Sequence, residues 1–270
     1  MTDTPEYLLG TNESELARLA AQHAVWADLA RAALDRAGVG PGDTVLDLGA
    51  GPGFVSLELA ERVGPTGRVV ALDESPVWRA AFEARGSGAP VEFVEASIEA
   101  ADLGAERYDC IFSRWVFSFL PDVDGVLAKL HRALRPGGAL VIQDYNHEGV
   151  SVFPASEGFE AAIRATREFY RGAGGDPWVA ARLPGPLRRS GFQLEEVRPH
   201  VRAGGPESDV FGWLDAFFPT FVRTYRERGL MTAEEVARFD LEWDALRRDP
   251  DALLFSPMVV DVIARRPPAG

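Results

Sequence analysis

The chain has 270 residues and a single cysteine, Cys110, so no internal disulfide can form. That usage suits a reducing cytoplasm, where we place the protein as an expectation. No run of about 18 apolar residues occurs, which excludes an apolar membrane-spanning segment. The start, MTDTPEYLLGTNESELARL, is acidic and lacks a basic segment followed by an apolar one, so no secretory signal is expected. Basic charge is also short: the net charge is -13, and the arginines are scattered rather than gathered into a stripe. Nucleic-acid partners, which need basic groups against phosphates, are therefore disfavoured. No cluster of His, Cys and carboxylates has metal-ligand spacing, and no metal is expected. Internal repeats and low-complexity linkers are missing as well. A small-molecule partner is the better expectation.

What is present is a regular alternation. Residues 11 to 38 read as a helix, with Asn12 as N-cap, Glu15 as its capping-box partner, and Leu16, Leu19, His23, Trp26, Leu29 and Ala33 at helical spacing. Short apolar runs then follow at 44–48, 68–73, 91–96, 108–114 and 139–145, separated by helical patterns. Ser75 caps the second of these, with Pro76 at its first position, and RPGG stops the helix before the fifth run. This rhythm predicts a parallel sheet covered by helices on both faces. After Tyr145 two largely helical blocks, 149–190 and 206–250, alternate with two further strands, 192–202 and 257–267. We read the chain as one domain. It has N-terminal helices within 1–40, a core at 41–148, and the helical blocks as a lid without a core of their own.

The segment with most information is DTVLDLGAGPGFVSLELAERV, residues 43 to 63, with Gly49, Gly51 and Gly53 at a strand-to-helix turn. Glycines there allow a tight turn and close approach of a ligand. The dinucleotide fingerprint G-x-G-x-x-G fails, because Phe54 stands where its third glycine should be, and Pro52 lacks an amide for a pyrophosphate. Asp47 would repel a pyrophosphate and suits an ammonium or sulfonium ligand instead. Asp73 ends the second strand, where doubly wound sheets place the carboxylate that binds a ribose diol.

VLDLGAGPG with VVALD strongly resembles the class I S-adenosylmethionine-dependent methyltransferases. VEFVEASIEA, YDCIFSRWVFSFLPD and LHRALRPGGALVIQDY continue the likeness over about residues 12 to 148. The resemblance implies a Rossmann-like, doubly wound sheet of seven strands, mostly parallel with an antiparallel last strand, plus helical lid insertions. It implies S-adenosylmethionine as cofactor. Gly49, Gly51 and Gly53 would cradle its methionine part, and Asp47 would face the amino group. Asp73, followed by Glu74, would hold the ribose. Ser97 and the Ile98 amide would meet the adenine, although the family most often has Asp where Ser97 stands. Arg114 and Trp115 would line the cleft by the methionine part.

Among four histidines, His147 after the fifth strand is the candidate general base, with an ordinary pKa near ~6.5. Asp144 and Tyr145 are weaker candidates from the same loop. His131 and His200 read as structural, and His23 as packed on the helix that covers the site. Phe211, Trp213, Phe217, Phe218, Phe221 and Tyr225 have the spacing of a buried helix, some of them able to face an acceptor pocket. The Asp/Asn-Pro-Pro-aromatic segment of base N-methyltransferases is replaced by SRWV, and no Pro-Cys nucleophile exists. The expected function is methyl transfer to a small apolar or aromatic acceptor. The alternatives are a cofactor-binding protein without transfer, or a nicotinamide oxidoreductase, which Phe54 and Asp47 disfavour.

Overall fold

The computed structural model describes residues 13–84 and 91–270. The Asn12 cap falls outside them. Helix α1 (Glu13–Ala37) precedes five strands interleaved with three helices: β1 (Thr44–Leu48), α2 (Phe54–Val63), β2 (Arg68–Asp73), α3 (Pro76–Ala84), β3 (Val91–Glu95), β4 (Tyr108–Arg114), α4 (Val123–Ala133) and β5 (Leu134–Asn146). Then come β6 (Ser151–Phe153), α5 (Glu157–Gly172), α6 (Val179–Arg182), α7 (Pro184–Arg189), β7 (Gln193–His200), β8 (Ala203–Gly204), α8 (Asp209–Glu227), α9 (Ala233–Leu246), β9 (Leu253–Phe255) and β10 (Met258–Arg265).

Seven strands form one sheet in the order β3-β2-β1-β4-β5-β10-β7, and β10 runs antiparallel to both of its neighbours. The apolar runs become strands because both sheet faces are covered. Val45, Leu46, Phe112 and Ile111 are fully buried. Strand order reverses between β1 and β4, and the crevice at their carboxyl ends is where such sheets take ligands.

Helix α4 ends at Ala133, just before RPGG, and the RPGG segment itself already belongs to β5, with a register irregularity against β4 between Tyr108 and Cys110. A second, three-stranded sheet, β6-β9-β8, escaped the sequence reading because its strands have only two or three residues.

The two helical blocks pack into one cluster together with α1 and the sheet. Phe159 and Phe169 of α5, Phe211 and Phe218 of α8, and Phe239 and Trp243 of α9 form one aromatic cluster, which continues to Tyr145 and Val259 of the sheet. Trp243 stacks on Phe159, Phe211 and Phe239 at ring-centroid distances of 5.5, 5.0 and 5.5 Å. Rings at such separations add about 0.5–1.5 kcal/mol per pair beyond their burial.

Helix α1 is built into this frame. Trp26 meets Trp213 edge-on at 5.4 Å, and Ala30, Ala33 and Leu34 pack with Val45 and Phe112. Arg36 reaches the fully buried Asp261 of β10, which also receives His200 Nε2 at 2.9 Å and Gln143 Nε2 at 2.7 Å. His200 is thus structural, as its sequence position suggested. No described helix is long and apolar enough to cross a membrane.

Candidate functional site

A cavity of about 790 Å³ opens at the carboxyl ends of β1, β2 and β4 and continues under α1, α5 and α8. This lies within the usual size of a small-molecule site, roughly 300–1,000 Å³. Asp47, Gly49, Gly51, Asp73, Glu74, Ser97, Ile98, Arg114 and Trp115, nine of the residues picked out from sequence, line it together with His147.

The glycine turn shapes one wall. Gly49 has φ +68°, and a Cβ there would lie 2.2 Å from Val116 Cγ2. Gly53 does not line the cavity: with φ +82°, its missing Cβ makes room for the Phe82 ring, 2.2 Å away. Gly51 differs. Its φ is +54°, and no protein atom lies within 4 Å of where a Cβ would stand, so that space is open to a ligand.

The amides of this turn are already engaged. Gly49 and Ala50 donate to the Leu72 carbonyl, Gly53 to the Ala50 carbonyl, and Gly51 to Asp73 Oδ2 at 2.8 Å, while Pro52 has none. A pyrophosphate would find no free donor among them. Asp73 also accepts from the Ser75 amide at 2.9 Å, and burial pushes its carboxyl above the usual range despite both bonds. Ser75 supports the start of α3, as expected, by accepting from the Trp78 amide at 3.4 Å.

Asp47 is nearly inaccessible. Burial raises its pKa to about 6, against the opposing Ser56 hydroxyl, which donates to it at 2.6 Å, and the charge of Arg114. Arg114 is depressed to about 10 by burial, so it stays charged at neutral pH. Its guanidinium lies 4.6 Å from the Trp115 ring centroid, and one nitrogen, Nη1, is buried without a hydrogen-bond partner among the described residues. Trp115 itself has φ +57°, a left-handed conformation rare for a bulky side chain and usually held in place at functional sites.

Ser97 caps the turn after β3 by accepting from the Ala100 amide at 3.3 Å, and Lys129 Nζ holds the carbonyls of Ile98 and Glu99. Burial, then the charges of Asp73 and Glu99, raises the Glu74 carboxyl.

The far wall is apolar. Of the aromatic set on α8, Trp213, Phe217 and Phe218 face the cavity, whereas Phe211, Phe221 and Tyr225 pack in the core. Helix α5 adds Ile163, Thr166 and Tyr170, and α1 adds Arg18, Leu19 and Gln22. Arg18 is held by Glu15 and by Gln22, and Gln22 donates to the Tyr145 hydroxyl at 3.2 Å. These wall residues, like Ser56 beneath Asp47, carried no local sequence signal, since their helices are amphipathic all along.

Two expectations are corrected. His147 does not keep an ordinary pKa. Burial and the nearby Arg167 lower it to about 3, so the imidazole is neutral. Asp144 is fully buried off the cavity, accepting from the Tyr145 amide at 2.8 Å and the Ser118 amide at 3.2 Å. It fastens the turn after β4 and is no base. His131 sits against Phe192 and is structural. Among the described residues no group of three His, Cys, Asp or Glu side chains is placed to hold a metal ion.

A family model described as a methyltransferase domain matches residues 40–189. The ubiquinone/menaquinone biosynthesis C-methyltransferase UbiE of Hahella chejuensis is 32% identical over 128 residues, covering 46% of this chain and 50% of that protein. The chain thus spans about half the length of the curated relatives it matches. An S-adenosylmethionine-dependent methyltransferase from Mesorhizobium loti superposes with a TM-score of 0.53 at 22% identity, over 91% of this chain and 100% of that one. The [4+2]-cyclase SpnF does so with a TM-score of 0.55 at 18% identity, over 90% and 82%. These two structures share the fold. With a seven-stranded sheet, its antiparallel strand and a matched segment covering more than half the sequence, the chain belongs to the class I methyltransferase-domain family.

Proposed function

We propose that the protein binds S-adenosylmethionine and transfers its methyl group to a small, uncharged, apolar or aromatic acceptor. One observation carries the cofactor reading: the turn amides are closed to a phosphate, while two carboxylates, Asp47 and Asp73, line the same cavity as the open space at Gly51. Asp73 retains lone pairs for a ribose diol. Asp47 and Arg114, of opposite charge, suit the two ends of an amino-acid tail. Ser97 and Ile98, which line the same cavity, are assigned to the adenine. The cofactor supplies a methyl group on a sulfonium, already a good leaving group.

The chain's own contribution is then alignment and exclusion of water. Holding the reacting groups in line is worth up to roughly 7–11 kcal/mol in ideal cases. Among the described residues, the four carboxylates that line the cavity, Asp47, Asp73, Glu74 and Glu99, lie in or after β1–β3. The parts contributed by β5, α5 and α8 carry none, so an ammonium would gain no counter-charge there. His147, neutral and lining the cavity, serves as a hydrogen-bond partner that receives a hydroxyl of the acceptor rather than as a store of protons. The blocks 149–190 and 206–250, with α1, act as a cover over both ligands within one domain.

Calorimetric titration with S-adenosylhomocysteine and with NAD separates the cofactor readings: binding of the first alone is expected, and binding of NAD alone would overturn the reading. Methyl transfer to a panel of matched phenols and amines then tests the acceptor. Cofactor binding with no transfer to any member would favour a binding protein of the same fold.

A further inference from the structure

We propose that His23, on α1 and outside the cavity wall, is the positioning residue that sets Arg114 for the carboxylate of the cofactor's amino-acid tail; this rests on the cofactor reading above. A guanidinium only donates hydrogen bonds. Arg114 Nη2 lies 3.0 Å from His23 Nδ1, so Nδ1 must accept, and the ring proton sits on Nε2. Nε2 in turn lies 3.2 Å from Glu58 Oε1 of α2, which accepts it and also pairs with Arg31. The Phe54 ring covers the imidazole face to face, with centroids 5.3 Å apart and planes 14° from parallel. His23 is thereby fixed in tautomer and in orientation, by Arg114 of β4 and by Glu58 and Phe54 of α2.

The consequence falls on Arg114. Its guanidinium is held from one side by His23 and from another by the Trp115 ring, which leaves Nη1 buried and without a partner among the described residues. A buried charged donor in that state is costly, and an incoming carboxylate relieves it. The other arginine in the wall, Arg18, is already engaged by Glu15 and Gln22. Phe54, the residue that breaks the dinucleotide fingerprint, thus has a use: where a glycine would let a helix pack close, it supplies the plate on which His23 rests.

The test compares two ligands on intact protein by calorimetry. S-Adenosylhomocysteine has the amino-acid tail, and 5′-methylthioadenosine lacks it. For His23→Ala, affinity for the first should fall about tenfold, the loss of one hydrogen bond's support to a charged group. Affinity for the second should stay within about twofold. His23→Gln, which can accept from Arg114 and donate to Glu58, should recover most of the loss. Equal losses for both ligands, or no loss for either, in variants that melt like the parent would overturn the positioning role alone. A parent protein that binds neither ligand would overturn the cofactor reading, and this inference with it.

Discussion

The Gly51 amide donates to Asp73 Oδ2 at 2.8 Å, so the glycine turn after β1 and the carboxylate that ends β2 are one unit. Asp73 braces the turn, and in the proposed function it also holds the ribose. Asp73→Ala should weaken S-adenosylhomocysteine binding about 100-fold, the loss of two bonds to a charged acceptor. Asp73→Asn, which keeps one acceptor oxygen, should lose less. Calorimetry on both variants checks the order, and an unaffected alanine variant would remove the ribose role.

Gly49 and Gly51 should respond differently to alanine. Both need positive φ, which costs an ordinary residue about 1–2 kcal/mol. At Gly49 the new methyl would also strike Val116, so urea denaturation should show a loss of roughly 2–4 kcal/mol. At Gly51 the methyl meets open space. Stability should fall by only about 1–2 kcal/mol, while cofactor affinity collapses because the cradle is filled. Comparable affinity losses per unit of stability at both positions would contradict the cradle.

Cofactor affinity should depend on the charge of Asp47. Its pKa, raised to about 6 by burial, means that the carboxyl takes up a proton as pH falls through that value. An ammonium is held by the ionised form. Affinity should therefore be flat above pH 7 and drop about tenfold per unit well below 6. Titrations from pH 8 to 5 test this, and Asp47→Asn should be weak and nearly independent of pH.

With saturating cofactor and an acceptor that does not ionise, kcat should show no limb from an imidazole between about pH 5 and 8, because His147 titrates near 3. His147→Phe should lower kcat without introducing or removing a limb. A limb near 6.5 that vanishes in this variant would restore His147 as a general base.

Phe217 and Phe221 stack at 4.2 Å on the same helix, yet only Phe217 reaches the cavity. Phe217→Leu should raise the acceptor KM by about two- to tenfold, through loss of an aromatic contact worth about 0.5–1.5 kcal/mol. Binding of S-adenosylhomocysteine should be unchanged. A variant that weakened the cofactor instead would place the acceptor elsewhere.

The succession of strands along the chain, the glycine turn and the two acids were legible in the sequence, because each depends on local chemistry. Alternating apolar runs specify buried parallel strands, glycine tolerates positive φ, and a carboxylate at a strand end is fixed by its place in the repeat. Residues 43–73 therefore read almost directly as a ligand-binding turn. What lies across the cavity was not legible. Whether Trp213 or Phe211 faces a ligand depends on how α8 is rotated against α5 and α9, and every apolar position on such a helix looks alike in sequence. The neutrality of His147 comes from burial and from Arg167, twenty residues on, and the partnership of His23 with Arg114 joins positions 91 residues apart. Desolvation and contact between distant segments arise only when the chain has folded. Tertiary structure alone therefore set the charge state of the site and the shape of its far wall.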